Sequence, residues 1–302
     1  MPPLLILDTN YLCHRAFHAL GHLTFEDLTT GCIFGVLRDI LHLQELFATD
    51  HIVFTFDHPG HNLRRDLLPG YKSTRYKRHE DEDDETRRVR IGFYEQVDLL
   101  RTKYLHDIGF RNVFSEEGFE ADDIIASITK ALHKDREAII VSSDQDLWQL
   151  VGKNVWCHNP QTNRSVTNES FRAKWGIRPK QWAAVKALAG CSTDDIPGIR
   201  GVGELTAAKF LAGNLPRTYQ AYRNIMQNND TFDRNLELVL LPLKGTPTFE
   251  LKKDCVTQGK WDALSCDLNM PSLQGRLARG PKKSKGRKRG NRKEEGFGLN
   301  HP

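Results

Sequence analysis

AIIVSSD, residues 138–144, is an apolar run of strand length that stops on an aspartate. The chain repeats the device twice: LLIL at 4–7 leads into Asp8, and HIVFTF at 51–56 leads into Asp57. Near-continuous Ile, Val, Leu and Phe predict strands buried on both faces, at 4–7, 51–56 and 138–143. VFS at 113–115 and VWCH at 155–158 add two shorter strands. Helical patterns lie between them, over 31–48, 86–107 and 121–134, the last with Ile124, Ile125, Ile128 and Leu132 at helical spacing. This alternation gives an α/β fold, a mostly parallel sheet with helices on both faces. Ligands in such sheets sit beyond the carboxyl ends of the strands. Asp8, Asp57 and Asp144 are carried there by their own strands.

Other acids gather in the same way. Glu120, Asp122 and Asp123 open the helix of EGFEADDII, with Glu117 nearby, Asp146 follows Asp144 in SSDQDLWQLV, and Asp194 and Asp195 stand in GCSTDDIPGIRGVG. Each block alone reads as a strand-end turn or a helix cap, where a carboxylate meets free amides. Converging on one edge, they form a like-charge cluster that burial makes costly unless cations share it. Oxygen-only ligands select hard cations, Mg²⁺ or Mn²⁺, over zinc. Two such ions about 4 Å apart suit in-line displacement at a phosphate. No histidine is placed as a general base, which also favours metal-activated water.

Two regions break the alternation. Residues 59–85 are rich in charge, running from GHNLRRDLLPGYKSTRYKRH to EDEDDE, and predict an exposed excursion above the sheet. In it Arg64, Arg65, Lys72, Arg75, Lys77 and Arg78 offer cations to phosphates, and Tyr71 and Tyr76 offer rings for stacking on bases. The acidic run Glu80–Glu85 would repel DNA and caps a mobile upper segment. Residues 168–240 are helical again. Within them GIRGVGELTAAKFL, 198–211, places Gly201 and Gly203 in a tight turn before a helix that carries Lys209. Outward amides and a helix start suit a phosphate, alone or with a bound monovalent cation. The spacing is not a nucleotide-binding fingerprint.

Charge is unevenly spread. The formal net charge is +4, from 43 basic and 39 acidic residues, but KKSKGRKRGNRK at 282–293 holds eight of the basic ones. Setting those aside leaves 35 basic residues against 39 acidic. A slightly acidic body thus carries a cationic tail, a disordered arm that would gather a polyanion such as nucleic acid. The six cysteines lack CxxC spacing and suit a reducing cytosol rather than a disulfide scaffold or zinc knuckle. No stretch reaches membrane-spanning length, and LLIL runs straight into Asp8, unlike a secretory signal. These features predict a cytoplasmic protein with no membrane association.

The blocks LDTNYLCHRAFHAL, TTGCIFGVLRDI, VFTFDHPG, YKSTR, EADDIIA, SSDQDLWQLV and GCSTDDIPGIRGVGELTAAKFL cover about residues 4–212. In kind and order they resemble the 5′ nuclease family: the flap endonucleases, and the 5′–3′ exonuclease domain of bacterial DNA polymerase I with its phage relatives. The resemblance is to the stand-alone bacterial or phage type, which implies the cytoplasm of a bacterial or phage-infected cell. It implies a PIN-like sheet flanked by helices over 1–165, with a helical arch at about 59–95. A helical region over 166–275 would hold a helix–three-turn–helix at about 185–213, and 276–302 would be the basic tail. The activity implied is structure-specific 5′–3′ exonuclease and flap endonuclease cleavage of DNA by a two-metal mechanism, on 5′ ends, flaps and nicks. By motif, Asp8, Asp57, Glu120 and Asp122 correspond to the first metal group, and Asp144, Asp146 and Asp194 to the second. Lys72 and Arg75 match the basic pair that approaches the scissile phosphate, and Arg15 steadies the 5′ phosphate region. Arg64, Tyr71, Tyr76, Lys77, Gly201, Gly203 and Lys209 are the implied nucleic-acid contacts, with K⁺ at the three-turn module. The chain would act as a monomer, with any polymerase separate.

One position departs from the family. Its usual GDxxDN reads Gly190, Cys191, Asp194 and Asp195 here, so the first acid is a thiol. A thiol is a poor Mg²⁺ ligand, and the second ion would be held more weakly, with water or Asp195 compensating. Two other readings remain open on the residues: an RNase H-like member acting on RNA–DNA hybrids, and a non-catalytic binder of DNA junctions.

Overall fold

The computed structural model describes residues 1–277 apart from 22, 26, 27 and 134. It leaves the side chains at 28, 76 and 78–80 undescribed. Six strands form one sheet in the order Val113–Phe114, Ile52–Thr55, Leu4–Asp8, Ala138–Val141, Val155–Asn159 and Arg164–Val166. The first five run parallel, and the last pairs antiparallel with Val155–Asn159. The chain builds outward from Leu4–Asp8 first to one side and then to the other. The order therefore reverses between Leu4–Asp8 and Ala138–Val141, the point at which such sheets open a crevice.

Strand periodicity sorts the apolar residues onto two faces. Leu5, Leu7, Ile52, Phe54, Ile139 and Val141 point into one core, with the helices Thr9–Leu20, Gly31–Phe47 and Asp84–Leu99. Leu4, Ile6, Val53, Ala138 and Ile140 point into the other, against Ile124, Ile125 and Ile128 of the helix Ala121–Ala131. Burying such a side chain contributes about 1.5–3 kcal/mol. The runs that looked uniformly apolar are so because both faces are covered.

The helix expected over 86–107 begins earlier, at Asp84, where Asp83 accepts from the Thr86 amide at 2.7 Å. It passes through a π-helical turn, Leu100–Tyr104, into Leu105–Ile108. The acidic run is thus partly a helix cap. Beyond residue 242, where apolar patterning fades, a helix Gln258–Asp267 packs Trp261 and Leu264 into the core under the first face. Residues 258–273 therefore belong with the sheet rather than with the helical region assigned over 166–275. The cationic tail from 278 onward lies outside the described residues.

The second helical group, from Asn168–Trp175 to Asn229–Val239, has its own core around Trp182, packed among Phe171, Trp175 and Trp148. Trp148 follows Asp146 on the short helix after strand Ala138–Val141, so this aromatic cluster fixes the module to the sheet edge that carries the acids. A fourth apolar cluster joins Tyr71, Ala187, Cys191, Ile196 and Leu238. It brings the excursion after Asp57 against the module.

Candidate metal and phosphate site

Hydrogen bonds tie the strand ends into one floor. Asp8 caps the helix Thr9–Leu20, accepting from the Tyr11 amide at 3.0 Å and from Ser142 Oγ at 2.7 Å. The same Ser142 hydroxyl accepts from the Asp144 amide at 3.0 Å, joining neighbouring strands. Asp57 accepts from Asn10 Nδ2 at 3.0 Å and from the Ala121 amide, the first of helix Ala121–Ala131, at 2.9 Å. Asp144 in turn accepts from the Asp146 amide at 2.8 Å. Three strands and two helix starts thus converge.

Over this floor opens a cleft of about 420 Å³, lined among others by Lys72, Arg75, Glu120, Asp122, Asp144, Asp146, Lys186, Cys191 and Asp194. Adjacent helix positions separate Asp122 from Asp123. Asp122 faces the cleft, while Asp123 is wholly buried in a bidentate pair with Arg64, at 2.5 and 2.8 Å.

The electrostatics divide the acids. Burial, followed by the charges of Asp57 and Asp144, lifts the Asp8 carboxyl to about 7. Burial and then Asp144, Asp8, Glu120 and Asp57 push Asp122 far above the carboxylate range, with no hydrogen bond to its carboxylate among the described residues. Asp57 and Asp144 are raised as well, by withdrawal from water in the cleft and then by Glu120 and Asp194 respectively. Asp57 and Asp144 are exposed as whole residues, yet their carboxylates are held by hydrogen bonds from Asn10, the Ala121 amide and the Asp146 amide. The cations of the cleft pair elsewhere. Lys72 donates to Glu120 Oε1 and lies 3.7 Å from Asp194 Oδ1, and Arg75 lies 3.4 Å from Asp194 Oδ1. Lys186 lies 3.1 Å from Asp146 Oδ1. Burial disfavours charged Glu120, but Lys72 and then Arg64 overcome it and hold the carboxyl at about 2. Among the described residues, Asp8, Asp57, Asp122 and Asp144 have no such cation.

Those four offer only oxygen donors and need positive charge, so they fit a hard divalent ion. The second group is different. Donor atoms of Asp146, Cys191 and Asp194 lie within 4.8 Å of one another. Burial raises the Cys191 thiol to about 11, and its Sγ donates to Asp194 Oδ2 at 3.4 Å. Asp146 Oδ1 is buried, near Lys186 but without an aligned hydrogen bond. By donor chemistry this set, with its neutral thiol, suits a hard divalent ion less well than the first, but among the described residues it is the set whose donor atoms gather closely enough to share one ion.

Several expected contacts are engaged otherwise. Arg64 is 2% exposed; its Nε donates to Leu238 O at 2.9 Å and its fork holds Asp123, so it is not open to a phosphate. Tyr71 is buried, with its hydroxyl donating to Glu120 Oε2 at 2.9 Å rather than its ring free for a base. Arg15 donates to Asp39 on the helix Gly31–Phe47. Asp195 does not replace the missing acid: both its oxygens accept from Thr74, at 2.7 and 2.8 Å. The Tyr76 side chain lies outside the described residues. Lys77, Lys209, Gly201 and Gly203 are exposed.

Gly201 holds φ +77°, a left-handed conformation that glycine adopts without strain, and Gly203 caps the helix Glu204–Leu211. Asn224 Nδ2 donates to Arg200 O at 2.8 Å beside the turn, and wholly buried Asn235 ties the segment before it to the helix Trp182–Ala189, donating to Ala187 O at 2.9 Å and Pro197 O at 2.8 Å. Sequence reading passed over Asn10, Ser142, Asn235 and Lys186. Lys186 had a signal: a lone cation inside the apolar helix WAAVKALA is buried only when paired.

Residues 3–176 match the family described as the 5′–3′ exonuclease, N-terminal resolvase-like domain. The chain is 34% identical over 218 residues to DNA polymerase I of Mycobacterium leprae, covering 70% of this chain and 22% of that protein. It is 32% identical over 236 residues to a 5′–3′ exonuclease of Aquifex aeolicus, covering 78% of this chain and 75% of that one. The chain therefore spans less than a quarter of the length of the mycobacterial polymerase. In fold it is similar to T5 5′-exonuclease solved with divalent metal ions (zinc), with a TM-score of 0.67 and 20% identity, covering 90% of this chain and 99% of that one. No helix among the described residues is long and apolar enough to cross a membrane.

Proposed function

We infer the function from one premise: this chain belongs to the 5′–3′ exonuclease family. It acts as a divalent-metal-dependent nuclease that hydrolyses DNA phosphodiesters at 5′ ends, nicks and flaps. The observation that carries this is the set Asp8, Asp57, Asp122 and Asp144, four raised carboxylates that no cation among the described residues pairs with directly, beside a cleft that Lys72 and Arg75 enter. A non-catalytic binder gains nothing from keeping such repulsion.

Asp8, Asp57, Glu120 and Asp122 would hold the first ion, Mg²⁺ or Mn²⁺, and Asp144, Asp146 and Asp194 a weaker second. When bound, divalent ions supply a water of lowered pKa and offset charge on the phosphate oxygens. Lys72 and Arg75 orient the scissile phosphate, exchanging part of their hold on Glu120 and Asp194 for it. The helical segment at about 59–95 is assigned as the family's arch over a PIN-like core, and 185–213 as its helix–three-turn–helix. Around Gly201 and Gly203 the exposed backbone and the start of helix Glu204–Leu211 suit a duplex phosphate, with Lys209 beside it and K⁺ as the monovalent cation. Arg15, through Asp39, fixes the helix Thr9–Leu20 that Asp8 caps. The basic tail adds affinity along the backbone, a cytoplasmic setting suits the free thiols, and a separate polymerase would fill the gap left by cleavage.

The test is cleavage of end-labelled 5′-flap, nicked, blunt and RNA–DNA hybrid substrates in Mg²⁺, Mn²⁺ or chelator. Metal-dependent products from flap and nicked DNA are expected. Intact DNA under every metal condition refutes the reading, and cleavage confined to the hybrid assigns the RNase H-like substrate instead.

A further inference from the structure

Lys186 is the cation that the nuclease reading leaves without a task. It lies on the helix Trp182–Ala189 with buried Val185, Ala187 and Leu188 around it, and its side chain is 11% exposed. Its ammonium stands 3.1 Å from Asp146 Oδ1 in the metal cleft and 3.1 Å from Glu204 Oε1 at the start of helix Glu204–Leu211. One charge is thus shared between an acid of the second metal group and an acid outside it. Burial works against the charge, but Asp146 first and then Glu204 hold the pKa above the ordinary lysine value, so it stays an ammonium.

A divalent ion entering among Asp146, Cys191 and Asp194 must take the Asp146 oxygen that Lys186 now faces. Two cations on one carboxylate repel, and the closeness of these donors leaves no room to avoid it. Glu204 offers the ammonium another place without bringing it into water, and its side chain, 34% exposed, is free to follow. Glu204 also explains why a lysine can reside in an apolar helix.

We propose that Lys186 is a positioning residue that gates the second metal ion, standing between Asp146 and Glu204 until that ion enters and then drawing onto Glu204 alone. The proposal rests on the nuclease reading for the existence of that ion. It gives two neighbouring substitutions opposite effects. Removing the ammonium clears Asp146, whereas removing the charge on Glu204 leaves Lys186 with Asp146 alone. A purely structural role for the pair would make both changes harmful in the same sense.

The experiment counts Mn²⁺ bound to the full chain, from the electron paramagnetic resonance signal of free Mn²⁺, without DNA. Wild type is expected to bind one ion tightly and a second more weakly. Lys186→Met should tighten the second ion by about tenfold, and Glu204→Gln should weaken it by about fivefold. Lys186→Arg, which keeps the charge, should stay within about twofold of wild type and guards against a packing artefact in Lys186→Met. The first ion should be unaffected throughout. Weaker second-ion binding in both Lys186→Met and Glu204→Gln, no change in either, or a single ion in every form overturns the gate. Loss of the tight first ion from wild type would instead count against the nuclease reading.

Discussion

Lys72 holds Glu120 and Asp194 at once: its ammonium donates to Glu120 Oε1 and lies 3.7 Å from Asp194 Oδ1. Its backbone is committed too, donating to Asp194 O at 3.0 Å from a left-handed conformation of φ 53°. Such a conformation costs a non-glycine residue about 1–3 kcal/mol and persists where the surroundings enforce it. The strain places one cation between the two acidic groups.

Lys72→Met should therefore slow single-turnover flap cleavage by about 100- to 1000-fold, in the range seen when one electrostatic contact to a transition state is removed. DNA affinity, measured by fluorescence anisotropy, should change by less than about tenfold because binding is spread over many phosphate contacts. An unchanged cleavage rate would mean that the ammonium serves only to neutralise Glu120.

Arg64 should matter for stability instead. Arg64→Met leaves Asp123 buried and unpaired and should cost about 3–5 kcal/mol in urea denaturation. Arg75→Met, with the Arg75 side chain 57% exposed, should cost less than about 1 kcal/mol. Equal losses would show that Arg64 is not the buried anchor described above.

The acids also set a pH dependence. Asp8 rises from an ordinary 3.8 to about 7, and Asp146 to about 6, so the folded chain binds more protons than the unfolded one across that window. Without metal, their effect is to lower stability as pH rises from about 4 to 7, and to level off above. Glu120 acts oppositely: held at about 2, it contributes stability above about 4.5 that is lost as pH falls toward 2. The melting temperature in chelator should accordingly fall between pH 5 and 7.5, and added Mg²⁺ should raise it more at pH 7.5 than at pH 5. A metal effect independent of pH would contradict the raised carboxyls.

The sheet was legible because three buried strands each ended on an acid, and that pattern survives every detail of packing. Ala138–Val141 and Ile52–Thr55 fell inside the runs expected for them. The helix at Gln258–Asp267 was not legible, since only Trp261 and Leu264 anchor it among polar residues. Within the site, Asp8, Asp57, Asp122 and Asp144 could be read from strand ends and a helix start. Arg64 and Tyr71 could not: a basic, aromatic stretch looks alike whether it reaches for phosphate or folds back onto Asp123 and Glu120. Charge pairing across 59 residues, as between Arg64 and Asp123, leaves no local trace.

Cys191 should set the metal requirement. Its thiol, raised to about 11, adds no charge to the second group at neutral pH. Cys191→Asp should lower the Mg²⁺ concentration for half-maximal cleavage several-fold, with a smaller change in Mn²⁺, which tolerates softer ligands. The same metal dependence in both proteins would show that the second group does not limit the reaction.

The most direct test is the rate of 5′-flap cleavage by Asp122→Asn in saturating Mg²⁺, with DNA binding measured alongside. Asp122 faces four other carboxylates and, among the described residues, receives no hydrogen bond, so its charge has no structural use without a metal ion. Cleavage should fall by at least about 1000-fold, consistent with loss of metal-supplied charge stabilisation, while DNA affinity stays within about threefold and the metal-free protein melts at a higher temperature than wild type. Near wild-type cleavage by Asp122→Asn would contradict the metal site at its centre.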